Sequence, residues 1–181
     1  MIKITWLGHS TFLFTLPTGE VIITDPWLTN PKFPAGFTLD RVDLMLVTHG
    51  HFDHTYDVMH LFRTFNAPLV ANHEIATWFG EKGVGDARGM NKGGSMQAGP
   101  VKVTMTNAVH SSSMMDGEKI VYGGEAAGFV VGFPDGRSLY FAGDTAVFCD
   151  MALIYELYQP QLCILPIGDL YTMGPKEAAL A

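Results

Sequence analysis

Apolar and polar positions alternate at the start of this chain and gather into longer apolar runs further on. Lys3 to Leu7 alternates, Ser10 to Leu16 is rich in strand-favouring side chains, and Val21-Ile22-Ile23-Thr24 is largely apolar. Three short strands are predicted there, with Pro17-Thr18-Gly19-Glu20 as a turn. Leu44 to Thr48 reads as a buried strand and Pro68 to Ala71 as another. Between them, Val58, Leu61, Phe62 and Phe65 fall at helical spacing within Tyr56 to Phe65. Asn72 predicts the N-cap of a helix through Phe79, stopped by Gly80 and Gly83. Gly83 to Gly99 is glycine-rich and reads as irregular. Val101 to Val109 is a strand ending at His110. Ala127 to Phe133 and Ser138 to Ala142 make a hairpin around Pro134-Asp135-Gly136-Arg137. A helix follows Gly143-Asp144-Thr145 through Leu157, then the apolar strand Leu162 to Ile167, and Pro175 opens a last helix. Strands followed by strand–helix units, in both halves, predict an α/β fold with sheets covered by helices.

The chain has 181 residues, which predicts one domain over 1–181 with its own core. A charged content of 16% beside 48% hydrophobic residues describes a globular chain and excludes a disordered one. The net charge of −7, with no Lys/Arg cluster, excludes a nucleic-acid footprint and argues against an anionic membrane surface as partner. The N-terminus reads as a strand rather than a signal peptide, and no run is long and apolar enough to span a bilayer, so a cytoplasmic protein is expected. Cys149 and Cys163 fall in helix-like and strand-like stretches, where reduced core thiols are expected.

Chemistry concentrates where the strand Leu44 to Thr48 ends. His49-Gly50-His51-Phe52-Asp53-His54 packs three imidazoles and a carboxylate into six residues. Mixed imidazole and carboxylate donors suit zinc, manganese or iron rather than calcium or magnesium. His49 and His51 are one residue apart and can point to the same side, whereas Asp53 and His54 are adjacent and point differently. One loop can therefore serve two neighbouring metals. His110 and Asp144 also follow apolar strands; Asp144 reads either as a helix N-cap or as a carboxylate bridging two metals. His9, in the turn Leu7-Gly8-His9-Ser10, either lines the site or hydrogen-bonds within its turn. Asp25 reads as a turn carboxylate or as a group orienting a ligand imidazole. His60 and His73 read as structural. The loop Asn30 to Gly36 and the stretch Gly83 to Gly99 are expected to shape a pocket, from position alone.

The cluster matches H-x-H-x-D-H, and with a lone His110 and Asp144 it resembles the metallo-β-lactamase superfamily. Trp6-Leu7-Gly8-His9-Ser10, Thr24-Asp25-Pro26-Trp27-Leu28, Leu165-Pro166-Ile167-Gly168-Asp169 and Tyr171-Thr172-Met173-Gly174-Pro175 narrow the likeness. They look like the uncharacterised metal-dependent hydrolases of the ascorbate-6-phosphate lactonase-like branch. The resemblance implies a four-layer αββα sandwich with its site at one edge between two sheets. It implies that His49, His51 and His110 hold a first metal, that Asp53 and His54 hold a second, and that Asp144 bridges them. The two divalent ions are expected to be zinc, with manganese or iron as alternatives. The family also supplies a last histidine to the second metal from a later strand, and this chain ends before it. The expectation is a sandwich without the last strand and helix of its second half. The implied activity is hydrolysis of an ester, lactone, amide or phosphodiester in a small-molecule substrate by a metal-bound hydroxide, with Asp53 orienting the nucleophile and receiving a proton, and His9 at the pocket. The alternatives are a metal-binding protein without turnover, for want of the last ligand, and a di-iron redox protein. Apolar surface at the open end leaves a homo-oligomer open as well.

Overall fold

In the computed structural model, which describes residues 1–181, two sheets lie face to face. The first has six strands in sequence order: β1 (Lys3–Trp6), β2 (Phe12–Thr15), β3 (Val21–Thr24), β4 (Leu44–Leu46), β5 (Leu69–Asn72) and β6 (Ala87–Met90). Strands β1 to β3 form an antiparallel meander, and β3 to β6 pair in parallel. Parallel neighbours need crossover connections, and those from β4 to β5 and from β5 to β6 are helical. These are α1 (Phe52–Thr55) with α2 (Val58–Phe65), and α3 (His73–Glu81). The Asn72 side chain accepts from the Ile75 amide at 2.8 Å, the N-cap expected from the sequence.

The second sheet runs β13 (Leu162–Ile164), β12 (Ser138–Phe141), β11 (Ala127–Gly132), β8 (Val101–Asn107) and β7 (Ser95–Ala98). Helix α4 (Met151–Tyr158) leads into β13, and α5 (Pro175–Ala178) follows. A separate hairpin, β9 (Ser113–Asp116) with β10 (Lys119–Tyr122), stands outside both sheets.

The two-residue period of each strand sorts its side chains between layers. Ile22, Leu44, Leu46 and Val70 point into a core shared with Val103, Met105, Phe129 and Val131 of the second sheet. Their neighbours Ile23, Met45, Leu69 and Ala71 face the other way and pack with Val58 and Leu61 of α2 and Ile75 and Phe79 of α3. On the far side, Val130 and Tyr140 of the second sheet meet Met151 and Ile154 of α4. The layers are therefore helix, sheet, sheet, helix. This is the four-layer αββα arrangement expected from the sequence.

The local differences have simple causes. Gly83 to Gly99 is not irregular: it holds β6 and β7, four residues each, and carries the chain from one sheet to the other. Strands that short show no period against a glycine-rich background. Helix α4 starts at Met151 rather than just after Thr145, and β13 stops at Ile164. Cys149 and Cys163 are both exposed, not core thiols, since β13 is an edge strand and Cys149 precedes α4. No helix is long and apolar enough to cross a membrane.

Candidate metal centre

The ends of β4, β8 and β12 meet at one edge of the sandwich. Ala127 N donates to Thr48 O at 3.0 Å, tying the two sheets together there, and Val109 N donates to Thr145 Oγ1 at 2.9 Å, joining the loops that follow β8 and β12. Beyond β4, His49 and His54 are fully buried. Asp53 and His54 sit on the single turn of α1, and the His54 ring packs against that of His49 with centroids 4.0 Å apart. His110 arrives on the loop after β8 and Asp144 on the loop after β12. Gly143, at φ +64°, lets that loop press on β4: a Cβ there would lie 2.7 Å from Thr48 Cβ.

Three overlapping groups of donor atoms result, each within 4.8 Å: His49, His51 and His110; His49, His54 and Asp144; His9, Asp53 and His54. His49 Nε2 faces His51 Nδ1 at 3.0 Å. Asp144 Oδ2 lies between the first and last groups, 3.9 Å from His110 Nε2 and 3.5 Å from His54 Nε2. Asp144 therefore stands with the imidazoles and caps no helix. His60 and His73 are exposed on α2 and α3 and lie outside these groups.

Asp25 fixes the orientation of this cluster. Its Oδ1 accepts from Thr48 N at 2.8 Å, and its Oδ2 accepts from Thr48 Oγ1 at 2.7 Å and from His54 Nδ1 at 2.8 Å. Asp25 thus orients an imidazole and does not serve its own turn. The single Thr48 hydroxyl proton goes to Asp25, so towards His49 Nδ1, 3.0 Å away, that oxygen accepts. His49 therefore carries its proton on Nδ1, and its Nε2 lone pair faces the other donors. His54 likewise commits Nδ1–H to Asp25, which leaves Nε2 as the atom that binds a proton or a metal. That Nε2 is buried without a hydrogen-bond partner: Asp144 is near enough to attract charge but is out of hydrogen-bonding geometry. A buried polar atom without a partner is costly unless something binds it. Two imidazoles oriented from behind by Asp25 and Thr48 fit divalent zinc, manganese or iron. Thr48 was not anticipated. Its signal was a lone hydroxyl between a buried apolar run and a histidine, which needs a partner inside.

The charges follow from these contacts. Burial, reinforced by neighbouring imidazoles, holds His49 well below the usual histidine value of 6.5. Burial also lowers His51 and His110. Burial opposes charge on His54 too, but Asp25 and Asp144 outweigh it and raise His54 to about 10. Burial would raise Asp53, but His9 and His54 hold it at about 2. Asp144 is lowered likewise, burial being outweighed by His54 and His110. A metal at His54 Nε2 therefore displaces a proton.

These shifts predict where the metal-free chain is most stable. His49, His51 and His110 gain protons on unfolding below about 6.5, so their contribution is full above that pH and falls below it. His54 does the opposite: its contribution is full below 6.5, falls as pH rises, and is gone above about 10. Stability is expected to peak near pH 6.5, with lower urea midpoints at pH 5 and pH 9. His54→Gln should lose the alkaline decline.

A cavity of about 840 Å³ opens over His51, Asp53, His110 and Asp144. Its walls come from Ser111, Ser113 and Met115 on one side and from 166–168, Tyr171 and Thr172 on the other. The loop Asn30 to Gly36 and the stretch Gly83 to Gly99 do not line it, contrary to the sequence-based expectation. Asn30 instead buttresses the turn before His9, donating to Leu7 O at 2.9 Å and Trp27 O at 2.7 Å.

An αββα sandwich with His and Asp donors gathered at one shared sheet edge defines the β-lactamase superfamily architecture, and residues 20–181 match the Beta-lactamase superfamily domain. Within it, the chain belongs to the UPF0173 metal-dependent hydrolase family. It is 57% identical to the UPF0173 metal-dependent hydrolase of Solibacter usitatus, spanning 99% of this chain and 79% of that protein. A Methanosarcina barkeri relative of the same family is 45% identical, over 99% of this chain and 77% of its own length. Among solved structures, Igni18, a metallo hydrolase from Ignicoccus hospitalis, superposes with a TM-score of 0.85 at 35% identity, over 99% of this chain and 76% of that one.

Proposed function

We propose that this chain is a dinuclear hydrolase of small carbonyl or phosphoryl substrates. The observation that carries this reading is the convergence of four imidazoles and two carboxylates beneath one cavity, with His49 and His54 locked from behind so that each presents Nε2. His49, His51 and His110 would hold one divalent ion, Asp53 and His54 the other, and Asp144 would be shared. When bound, the pair supplies a water acidic enough to ionise near neutral pH and polarises the substrate oxygen.

The protein's own groups do the rest. Asp53 stays ionised and borders the cavity, so it can orient the attacking water by accepting a hydrogen bond from it. Ser111 and Ser113 on one wall and Tyr171 and Thr172 on the other offer hydroxyls that can orient the substrate, beside the apolar Met115 and Ile167. The likeness of the Leu165–Asp169 and Tyr171–Pro175 segments to the ascorbate-6-phosphate lactonase-like branch puts lactones first among candidates.

The test is a panel of lactones, activated esters, anilides and phosphodiesters, offered to the chain loaded with zinc, manganese or iron. Turnover of one class is expected, and Asp53→Asn should lower it about 10²–10⁴-fold. Full turnover in Asp53→Asn with metal retained would remove Asp53 from the chemistry. Metal uptake with no turnover on any class would favour a binding protein.

A further inference from the structure

The turn between β1 and β2 holds an imidazole in a backbone conformation that side chains seldom adopt. His9 has φ +51°, and the preceding Gly8 has φ +93°. Nothing at that turn is free to relax. A Cβ on Gly8 would lie 2.2 Å from Asn30 Oδ1, and that oxygen also accepts from Lys32 N at 2.9 Å. Leu7 N donates to Thr11 O at 2.9 Å, Thr11 N to Gly8 O at 3.0 Å, and Trp6 Nε1 to His9 O at 2.8 Å. Left-handed residues other than glycine persist where surroundings over-determine them, and they concentrate at functional sites.

The constraint delivers the His9 ring to the cluster. Nε2 lies 3.3 Å from Asp53 Oδ2. The ring stands edge-on to His54 with centroids 4.9 Å apart, and Trp27 backs it at 5.3 Å. Donor atoms of His9, Asp53 and His54 fall within 4.8 Å of one another. His54 Nε2, the buried atom without a hydrogen-bond partner, is one of them, 3.9 Å from Asp53 Oδ2. A hydrogen bond from His9 to Asp53 would need only those two residues. It would leave His54 Nε2 unanswered, whereas one cation among the three donors satisfies all of them.

We propose that His9 is a protein ligand of the second metal, beside Asp53 and His54 and with Asp144 shared. This rests on the dinuclear reading of the site. Two imidazoles and two carboxylates make a donor set suited to zinc, manganese or iron. The turn before β2 would then carry a ligand that lies outside the H-x-H-x-D-H segment.

His9→Asn tests this directly, because asparagine tolerates the left-handed backbone but is too short to reach the metal. After loading with zinc and gel filtration, elemental mass spectrometry should find two metals per wild-type chain and one in His9→Asn. His60→Asn, on the exposed face of α2, should keep two. Two metals in His9→Asn would overturn the assignment while leaving the dinuclear reading intact. Fewer than two in the wild type would instead overturn that reading, and the assignment with it.

Discussion

Replacing Asp25 with alanine is expected to cost about 3–5 kcal/mol of stability, the range for breaking a buried charged pair. Asp25 is fully buried, and three donors converge on its carboxylate: Thr48 N, Thr48 Oγ1 and His54 Nδ1. All belong to buried residues, so alanine strands them together, at about 1–3 kcal/mol for each unsatisfied group. Alanine also sits poorly at φ +40°, where Asp25 is held with Thr11 Oγ1 donating to its carbonyl at 2.8 Å. Function should fail in parallel. His54 would lose the contact that fixes its proton on Nδ1, and Thr48 would be free to turn its hydroxyl proton towards His49. Urea unfolding measures the stability and elemental analysis the metal. A loss below about 1 kcal/mol would show that Asp25 is a bystander in the turn.

The second large effect is expected from His49→Ala. His49 belongs to two of the three donor groups, with His51 and His110 on one side and with His54 and Asp144 on the other. Losing an outer partner of a metal ligand costs about 10–100-fold in affinity or activity, and losing a ligand common to both groups should cost more. Hydrolysis should fall to background. The metal-free fold should survive better than in Asp25→Ala, because truncating a neutral buried imidazole leaves no buried charge unpaired. Comparing the two variants separates damage to the site from damage to the fold.

Much of this could be read along the chain. Ile22 beside Ile23, and Leu44-Met45-Leu46, already carry the two-residue alternation that divides a doubly covered sheet between two cores. The His49–His54 segment announces its donors by residue type and by its place after a buried strand. Asp25 could be assigned only as one of two alternatives, because its choice between its own turn and His54 depends on a contact across 29 residues. Thr48 was missed for a similar reason: its hydroxyl matters through two partners, one of them distant in sequence. The pocket walls were misplaced because proximity of a loop to the site is set by how the sheets stack, which local pattern does not encode. The β9–β10 hairpin did leave a signal, a two-residue connection opening on Gly117 at φ +63°. Its strands of four residues are too short to show a period of their own.

The central claim is that this edge of the sandwich holds two metals, and counting them tests it most directly. The purified chain, loaded with zinc and freed of excess, should contain close to two ions per molecule by elemental mass spectrometry, and His49→Ala should lose at least the ion that His49 holds. One ion or none in the wild-type chain would contradict the account.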